Sequence, residues 1–560
     1  MKKLISLLLA AAMLACLLAA CTPKAQQEQP QQTAEQTEAP VSTEPVAQVT
    51  DAGPHIFRIA HTYSPDTKNP ITTHGYGSKQ VYHRNVYEKL LDVNENMELS
   101  PRLAESWEVS DDNLTWTFHL RQNVLWHDGE MFTADDVVYT YQTIKAMELG
   151  LDYSALTGVS AVEKVDDYTV TITTEKPKAD MISAMVYIVP EHIFSAYTTP
   201  EEMEAFADEE LIGTGPFQFD SSAKDEFCKY VVNENYWGAV PEIDELIYVY
   251  FANSDTIVQA FEKGEIDFME VGTSQVEYVE AMDYAEVHRY SNLGFIQVAF
   301  NCWTDDRSKG NDLILDPVVR QAIDYAIDKE KIIEYVRGGY ATLCPTIVPA
   351  ACGIWSWDPG AEYRGYDLEK AKALLETAGY VDSDGDGIRE DANGNKLDFR
   401  FNVVDPDYTD IALIMQAGMT AIGINANIVP STHARQSEII YQQDFDTDII
   451  IWGWGVKQDP SFILNVMTSA QIEQSSDCYW SNAEYDELYQ QQLTTIDTAE
   501  RVKLVHRMQQ IVYEEAPYIP LFADIKVEAY RSDRWTGFRE YPTGGSIFNM
   551  ETIAEVKPVA

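Results

Sequence analysis

Positive charge is what this 560-residue chain has little of: Lys and Arg total 40 against 90 Asp and Glu, for a formal net charge of −50. A surface of that sign repels a phosphate backbone and an anionic bilayer, which excludes nucleic-acid binding. Cysteine is scarce as well, seven in all, which excludes a disulfide-stapled scaffold. After the first twenty residues no apolar run is long enough to cross a bilayer. The ten His and 29 Gly form no paired-histidine metalloprotease helix, no strand-to-helix nucleophile elbow and no phosphate-binding glycine loop. Ser221-Ser222-Ala223-Lys224 has the spacing of a Ser/Lys motif of penicillin-recognising enzymes, but the companion motifs are missing. What remains is a globular composition, 45% hydrophobic, with length for roughly three or four domains.

The chain opens with Lys2 and Lys3 and an apolar stretch from Leu4 to Ala20, the layout of a secretory signal. It ends in Leu18-Ala19-Ala20-Cys21, which resembles the bacterial lipobox, so Cys21 is expected to become the lipidated first residue of the mature protein. Residues 22–50 are rich in Gln, Thr, Glu and Pro without an aromatic. They cannot build a core and should form a tether with a reach of about 30 Å. Cys228, Cys302, Cys344, Cys352 and Cys478 then remain, an odd number; Cys344 and Cys352 are close enough in sequence to close a short loop.

Strands and helices mix throughout. Leu114, Trp116, Phe118 and Leu120 alternate with polar residues, as do Tyr168, Val170 and Ile172, which predicts half-buried strands. Asp316-Pro317 predicts a helix start, with an apolar stripe running toward Gly338-Gly339; Asp367 predicts another, stopped by Gly379; Asp497 with Glu500 predicts a capping box. Asp448-Ile449-Ile450-Ile451-Trp452 reads as a strand buried on both faces. The loop that follows, Gly453 to Gln458, should lie at the carboxyl end of its sheet, where open α/β sheets bind ligands, before Asp459-Pro460 starts a helix.

The chain is similar to the family 5 extracellular solute-binding proteins, the peptide-binding proteins of bacterial ABC importers. The resemblance rests on Leu103 to Val109, Leu114 to Arg121, Trp126 to Glu130, Phe132 to Val137, Gly213-Thr214-Gly215-Pro216-Phe217, Arg320 to Asp328, Trp452-Gly453-Trp454-Gly455 and Ala516 to Leu521, in the family's order. It implies an α/β, two-lobed periplasmic-binding-protein-like fold with a hinge and an extra subdomain inserted in lobe I. Lobe I would comprise 52–91, 213–299 and 531–560, the insert 92–212, and lobe II 300–530. The resemblance further implies a ligand-binding cleft lined by Tyr63, Gly213, Thr214, Gly215, Trp454, Lys457 and Asp459, with a hinge crossing near Asn301. Hinge closure would enclose a peptide and present it to permease subunits. The protein would be a monomer, without catalysis, anchored by lipid alone to the outer face of the cytoplasmic membrane. The alternatives are an oligosaccharide or other small solute as ligand, or a secreted glycoside hydrolase using two of the many carboxylates.

No cofactor is required for that role, but Asp382, Asp384, Asp386 and Glu390 stand at positions 1, 3, 5 and 9 of a calcium-loop pattern, with the Ile388 carbonyl at 7. Asn393 occupies position 12, where a Glu would complete an EF-hand, so a solvated acidic turn is the competing reading. Lys457 raises the sharpest question. In peptide-binding members an acidic residue of this loop holds the ligand's α-amino group; here Lys replaces the first Asp, and two like charges about 4 Å apart cost on the order of 4 kcal/mol at an effective dielectric constant near 20. Either Lys457 meets an anionic or neutral group of the ligand, or it points to solvent.

Overall fold

The computed structural model describes residues 53–560 apart from 63–64, 66, 74–75, 95–97, 151, 542–544 and 560. The signal, Cys21, the tether and Tyr63 lie outside the described residues. None of the described helices is long and apolar enough to cross a membrane.

The organising element is a long strand, Tyr518–Arg531, shared by two half-sheets. Its first half pairs with Phe295–Phe300, and its second half with Phe268–Glu270 and Ala285–Ser291. The chain therefore crosses between lobes twice, at 292–294 and around Asp524. The Asn292 N–H donates to the Asp524 carbonyl at 2.9 Å, tying the two crossings together. Packing divides at the same place: one buried apolar cluster runs from Leu293 to Phe522, and the fully buried members of the others lie before and after that span, with Tyr340 and Ile496 packed on them at the edge.

These crossings correct the expected lobe boundaries and the hinge near Asn301. The whole strand Phe295–Phe300 pairs with Ile449–Trp454 inside lobe II. Asn301 is buried beyond it, its Nδ2 donating to the Phe445 and Thr447 carbonyls at 2.9 and 3.0 Å and its Oδ1 accepting from the Trp303 N–H at 3.1 Å. An amide so satisfied holds lobe II together and has little left for a ligand.

The insert carries a sheet of Ala104–Val109, Thr115–Leu120, Thr169–Thr174 and Val159–Asp166, in that spatial order. Trp116, Phe118 and Leu120 point inward from one face, as their alternation requires, and pack in the same cluster as lobe I. The helix Ala134–Met147 covers this sheet, started by a capping box of Thr133 and Asp136.

In lobe II the stripe after Asp316-Pro317 is two helices, Pro317–Ala326 and Lys329–Val336, not one. Asp328 interrupts it by accepting from the Lys331 N–H at 2.9 Å, and the Lys329 ammonium turns back to Asp324 at 2.7 Å. Asp497 caps Thr498–Glu515 through the Glu500 N–H, but the Glu500 carboxylate goes to Lys503, so the return half of the expected box is missing. Cys344 and Cys352 are separate buried thiols, as are the other three; the Cys344 Sγ donates to the Thr346 carbonyl at 3.1 Å instead of closing a loop.

Candidate functional site

Strand register fixes where a ligand can sit. In lobe I, Ile56–His61 runs parallel to Glu245–Tyr250 and to Phe268–Glu270. Along the last of these, Phe268 faces Tyr530 and Glu270 faces Glu528, so the carboxyl end points toward Asp524 and the hinge. In lobe II, Trp454 faces Phe295, the first strand residue after the crossing. Ile449–Trp454, Asp398–Val404 and Asn425–Ser431 are parallel, so their carboxyl ends also point to the hinge. Ligands of open α/β sheets bind at such ends. Here two sets of them converge on one crevice.

The lobe II rim is aromatic. Tyr408 and Trp452 flank the His433 ring edge-on, with centroids 6.3 and 6.1 Å away, and the His433 Nε2 lies 3.1 Å from Asp407. Trp454 is half-buried and edge-on to Phe462 at 5.9 Å. Between Trp452 and Trp454, a Cβ on Gly453 would lie 2.7 Å from Ile296 Cδ1, the movable end of that side chain. Lys457 is exposed, its ammonium 5.4 Å above the Phe462 ring, with no carboxylate partner among the described residues. Trp454 thus ends the strand and Lys457 follows it in the loop at the strand's carboxyl end.

Beneath the rim lies Asp477, fully buried. Its Oδ2 accepts from Trp454 Nε1 and Gln297 Nε2, each at 3.2 Å, while its Oδ1 and the Gln297 Oε1 have no partner among the described residues. Burial, only partly offset by those donors, pushes its pKa up to about 7.

Of the two duties expected of Asp459, lining the cleft and starting the next helix, its hydrogen bonds serve the second and an internal ion pair. Its two oxygens accept from Arg501 at 2.6 and 2.9 Å, and Oδ1 also accepts from the Ser461 N–H at 2.9 Å. Burial pushes this carboxyl up, but the guanidinium outweighs burial and holds it below the usual range. It is neutralised in place and starts the helix Ser461–Val466.

Gly213, Thr214 and Gly215 were also expected at the cleft, and the structure uses them inside lobe I. A Cβ on Gly213 would sit 2.0 Å from the Val86 carbonyl oxygen, and one on Gly215 2.7 Å from the same atom. The Gly215 N–H donates to that carbonyl at 2.8 Å, and the buried Thr214 hydroxyl donates to Glu88 at 3.0 Å. These glycines allow backbone to approach backbone, not ligand.

Sequence reasoning missed Tyr408, His433, Asp477 and Arg501. Tyr408 and His433 follow the carboxyl ends of two parallel strands, a signal usable only once strand order is known. Nothing local marks Asp477 or Arg501.

The acidic loop folds as a convergent cluster: one oxygen from each of Asp382, Asp384, Asp386 and Glu390 lies within 4.8 Å of the others. The Asp382 oxygens accept from the Gly385 and Gly387 N–H groups, and Ile388 donates its N–H to Asp386 at 2.9 Å. The donor set suits a hard cation. A cation of the chain itself competes for it: the Lys396 ammonium bonds to Asp384 at 2.8 Å and, more tightly, to Asp386, with Glu390 at 3.8 Å.

Two lobes joined by a two-strand hinge, with strand ends converging on the crevice, are the architecture of binding proteins that close about a ligand. Residues 98–474 match the middle region of the bacterial extracellular solute-binding proteins, family 5. "Heme-binding protein A" of Haemophilus influenzae is 30% identical over 521 residues, covering 87% of this chain and 89% of the relative. "Dipeptide-binding protein" of Escherichia coli is 28% identical over 504 residues, covering 84% and 89%. The solved structure of HbpA2 from Haemophilus parasuis superposes with a TM-score of 0.77 at 25% identity, over 90% of this chain and all of that one. The chain belongs to the bacterial extracellular solute-binding proteins, family 5. It is a transport component acting outside the cytoplasm, and not an enzyme.

Proposed function

We propose that the protein captures peptides in the interlobe crevice and delivers them to the permease of an ABC importer. It acts as a monomer held by lipidated Cys21 on the outer face of the cytoplasmic membrane, with a tether of about 30 Å that lets the body swing over the permease. The observation that carries the reading is the convergence of both sets of strand carboxyl ends on a two-strand hinge. Similarity to a dipeptide-binding protein supports peptide as the ligand class. No cofactor is needed for capture, and calcium in the 382–390 loop would be structural.

Native mass spectrometry of gently purified protein tests the ligand: co-purified peptide masses are expected, and a sugar mass would overturn the assignment. Cys21→Ala should release the protein into the soluble fraction, and unchanged membrane retention would refute the anchor. A second reading, a heme or metal-chelate ligand, is favoured by the heme-binding relative together with His433, whose Nδ1 has no partner among the described residues while Asp407 holds Nε2. A porphyrin or metal in the same mass spectrum would select it.

A further inference from the structure

Away from the hinge, the hydrogen bonds joining the lobes among the described residues all use one residue. Ala179 lies in the turn after the insert strand Thr169–Thr174. Its N–H donates to the Leu493 carbonyl at 2.8 Å, and its carbonyl accepts from Arg501 Nη1 at 3.3 Å. Ile496 adds an apolar contact with the lobe I cluster.

Arg501 is tied equally firmly on its other side. Besides Asp459, its guanidinium bonds to Ser461 Oγ at 2.8 Å and Gln492 Oε1 at 2.9 Å and lies 4.8 Å from the centre of the Trp355 ring. Its side chain is 4% exposed. All of these partners belong to lobe II; Ala179 alone belongs to the other body. Asp459 closes the loop that carries Trp454 and Lys457, so one guanidinium touches both the ligand-side loop and the opposite lobe.

We infer that Arg501 is a positioning residue that couples the state of the cleft loop to lobe closure, through an Asp459–Arg501–Ala179 bridge made when the lobes meet. The inference rests on the reading of the chain as a binding protein that closes about its hinge. Opening separates Ala179 from Leu493 and Arg501 but leaves the lobe II partners intact. The guanidinium stays aimed by Asp459, Ser461 and Gln492 while the lobes are apart, so closing orders no long side chain. The bond that forms is charge-assisted and stronger than a neutral one. A ligand that shifts the 454–459 loop shifts Asp459, and with it the reach of Arg501 to the insert. That supplies the differential stabilisation of the closed form that a ligand must provide.

The test measures interlobe distance in ligand-stripped protein, with spin labels on Val165→Cys in the insert and Leu413→Cys in lobe II. Both positions are exposed, and the five native cysteines of the folded body are buried. Arg501→Lys, which keeps the charge beside Asp459 but loses the fork, should lower the closed-to-open ratio roughly tenfold, the effect of a hydrogen bond to a charged group. Ala179→Pro, which removes the N–H bonded to Leu493 without touching Arg501, should lower it about fivefold. Asp459→Asn should lower the ratio in the wild-type background and add nothing to Arg501→Lys. An unchanged distance distribution in both single variants, or full additivity of Asp459→Asn with Arg501→Lys, overturns the coupling. Should Arg501→Lys fail to fold, Asp459→Asn in the wild-type background decides, and an unchanged closed-to-open ratio there overturns the coupling. No ligand enters the measurement, so its result is independent of whether the ligand is a peptide.

Discussion

Replacing Asp477 by Asn should stabilise this protein, and by more at pH 8 than at pH 5. In the folded chain burial raises the Asp477 pKa to about 7 from an ordinary 3.8, so between those values the native state binds a proton that the unfolded state releases. Stability contributed by that proton is fully present below the unfolded pKa and is lost as pH rises through the folded one. The slope is about 1.4 kcal/mol per pH unit inside the window, so going from pH 5 to pH 8 removes on the order of 3 kcal/mol. Asn is neutral at both pH values, keeps an oxygen for Trp454 and Gln297, and adds N–H donors where the Gln297 Oε1 lacks one. Asp208 and Glu528 are likewise raised by burial to about 7, but they are common to both proteins and cancel in the difference. Urea denaturation of both proteins at intervals from pH 5 to pH 8 measures it. A stability difference that does not change with pH would refute the reasoning, because it would mean that Asp477 has the same pKa folded and unfolded.

Gly213→Ala should cost about 1–3 kcal/mol through the clash with the Val86 carbonyl, seen as a lower melting temperature with unchanged ligand affinity in the protein that stays folded; unchanged stability would contradict the packing role. Calcium should raise the melting temperature of wild type modestly and of Lys396→Met more, since the ammonium competes for the same carboxylates; equal melting in calcium and in chelator for both proteins would rule the site out. Lys457→Ala should weaken binding of the co-purified ligand by roughly threefold or more and Lys457→Asp further. Tighter binding by the Asp variant would mean that the ligand group there is cationic.

Helix starts were legible wherever the signal is complete within four residues. Asp316 accepts from the Val318 N–H and Asp367 from the Lys370 N–H, both at 2.9 Å, and Gly379 adopts φ +92° where its helix stops. The break between Ala326 and Lys329 was not legible. It is held by Asp324, whose carboxylate takes both Lys329 and, from beyond the next loop, Arg364 at 2.7 Å each. The buried strand before Trp452 was legible from its apolar run, and hence so was the ligand-side loop. The hinge could not be read, because nothing in Leu293 or Asp524 announces that two strands change sheets there; pairing across more than two hundred residues decides it.

What the sequence offered as site residues, the structure sorts by one physical criterion, whether a polar or close-packing position is already engaged inside the protein. A glycine pair marks a close approach without saying to what, and at Gly213 and Gly215 the answer is the Val86 carbonyl. An Asp beside a cleft loop marks negative charge without saying whether it is already spent, and Asp459 is spent on Arg501. The field a ligand meets is set by what remains unpaired once such internal partners are subtracted. On the lobe II rim that remainder is an exposed ammonium at Lys457 and a row of aromatic edges, with a carboxyl at Asp477 whose pKa burial raises to about 7. A net charge of −50 does not reverse this, because charges beyond about 8 Å are screened at physiological salt. An anionic or neutral group with an apolar face is the complement of that remainder, on a protein whose surface as a whole attracts cations.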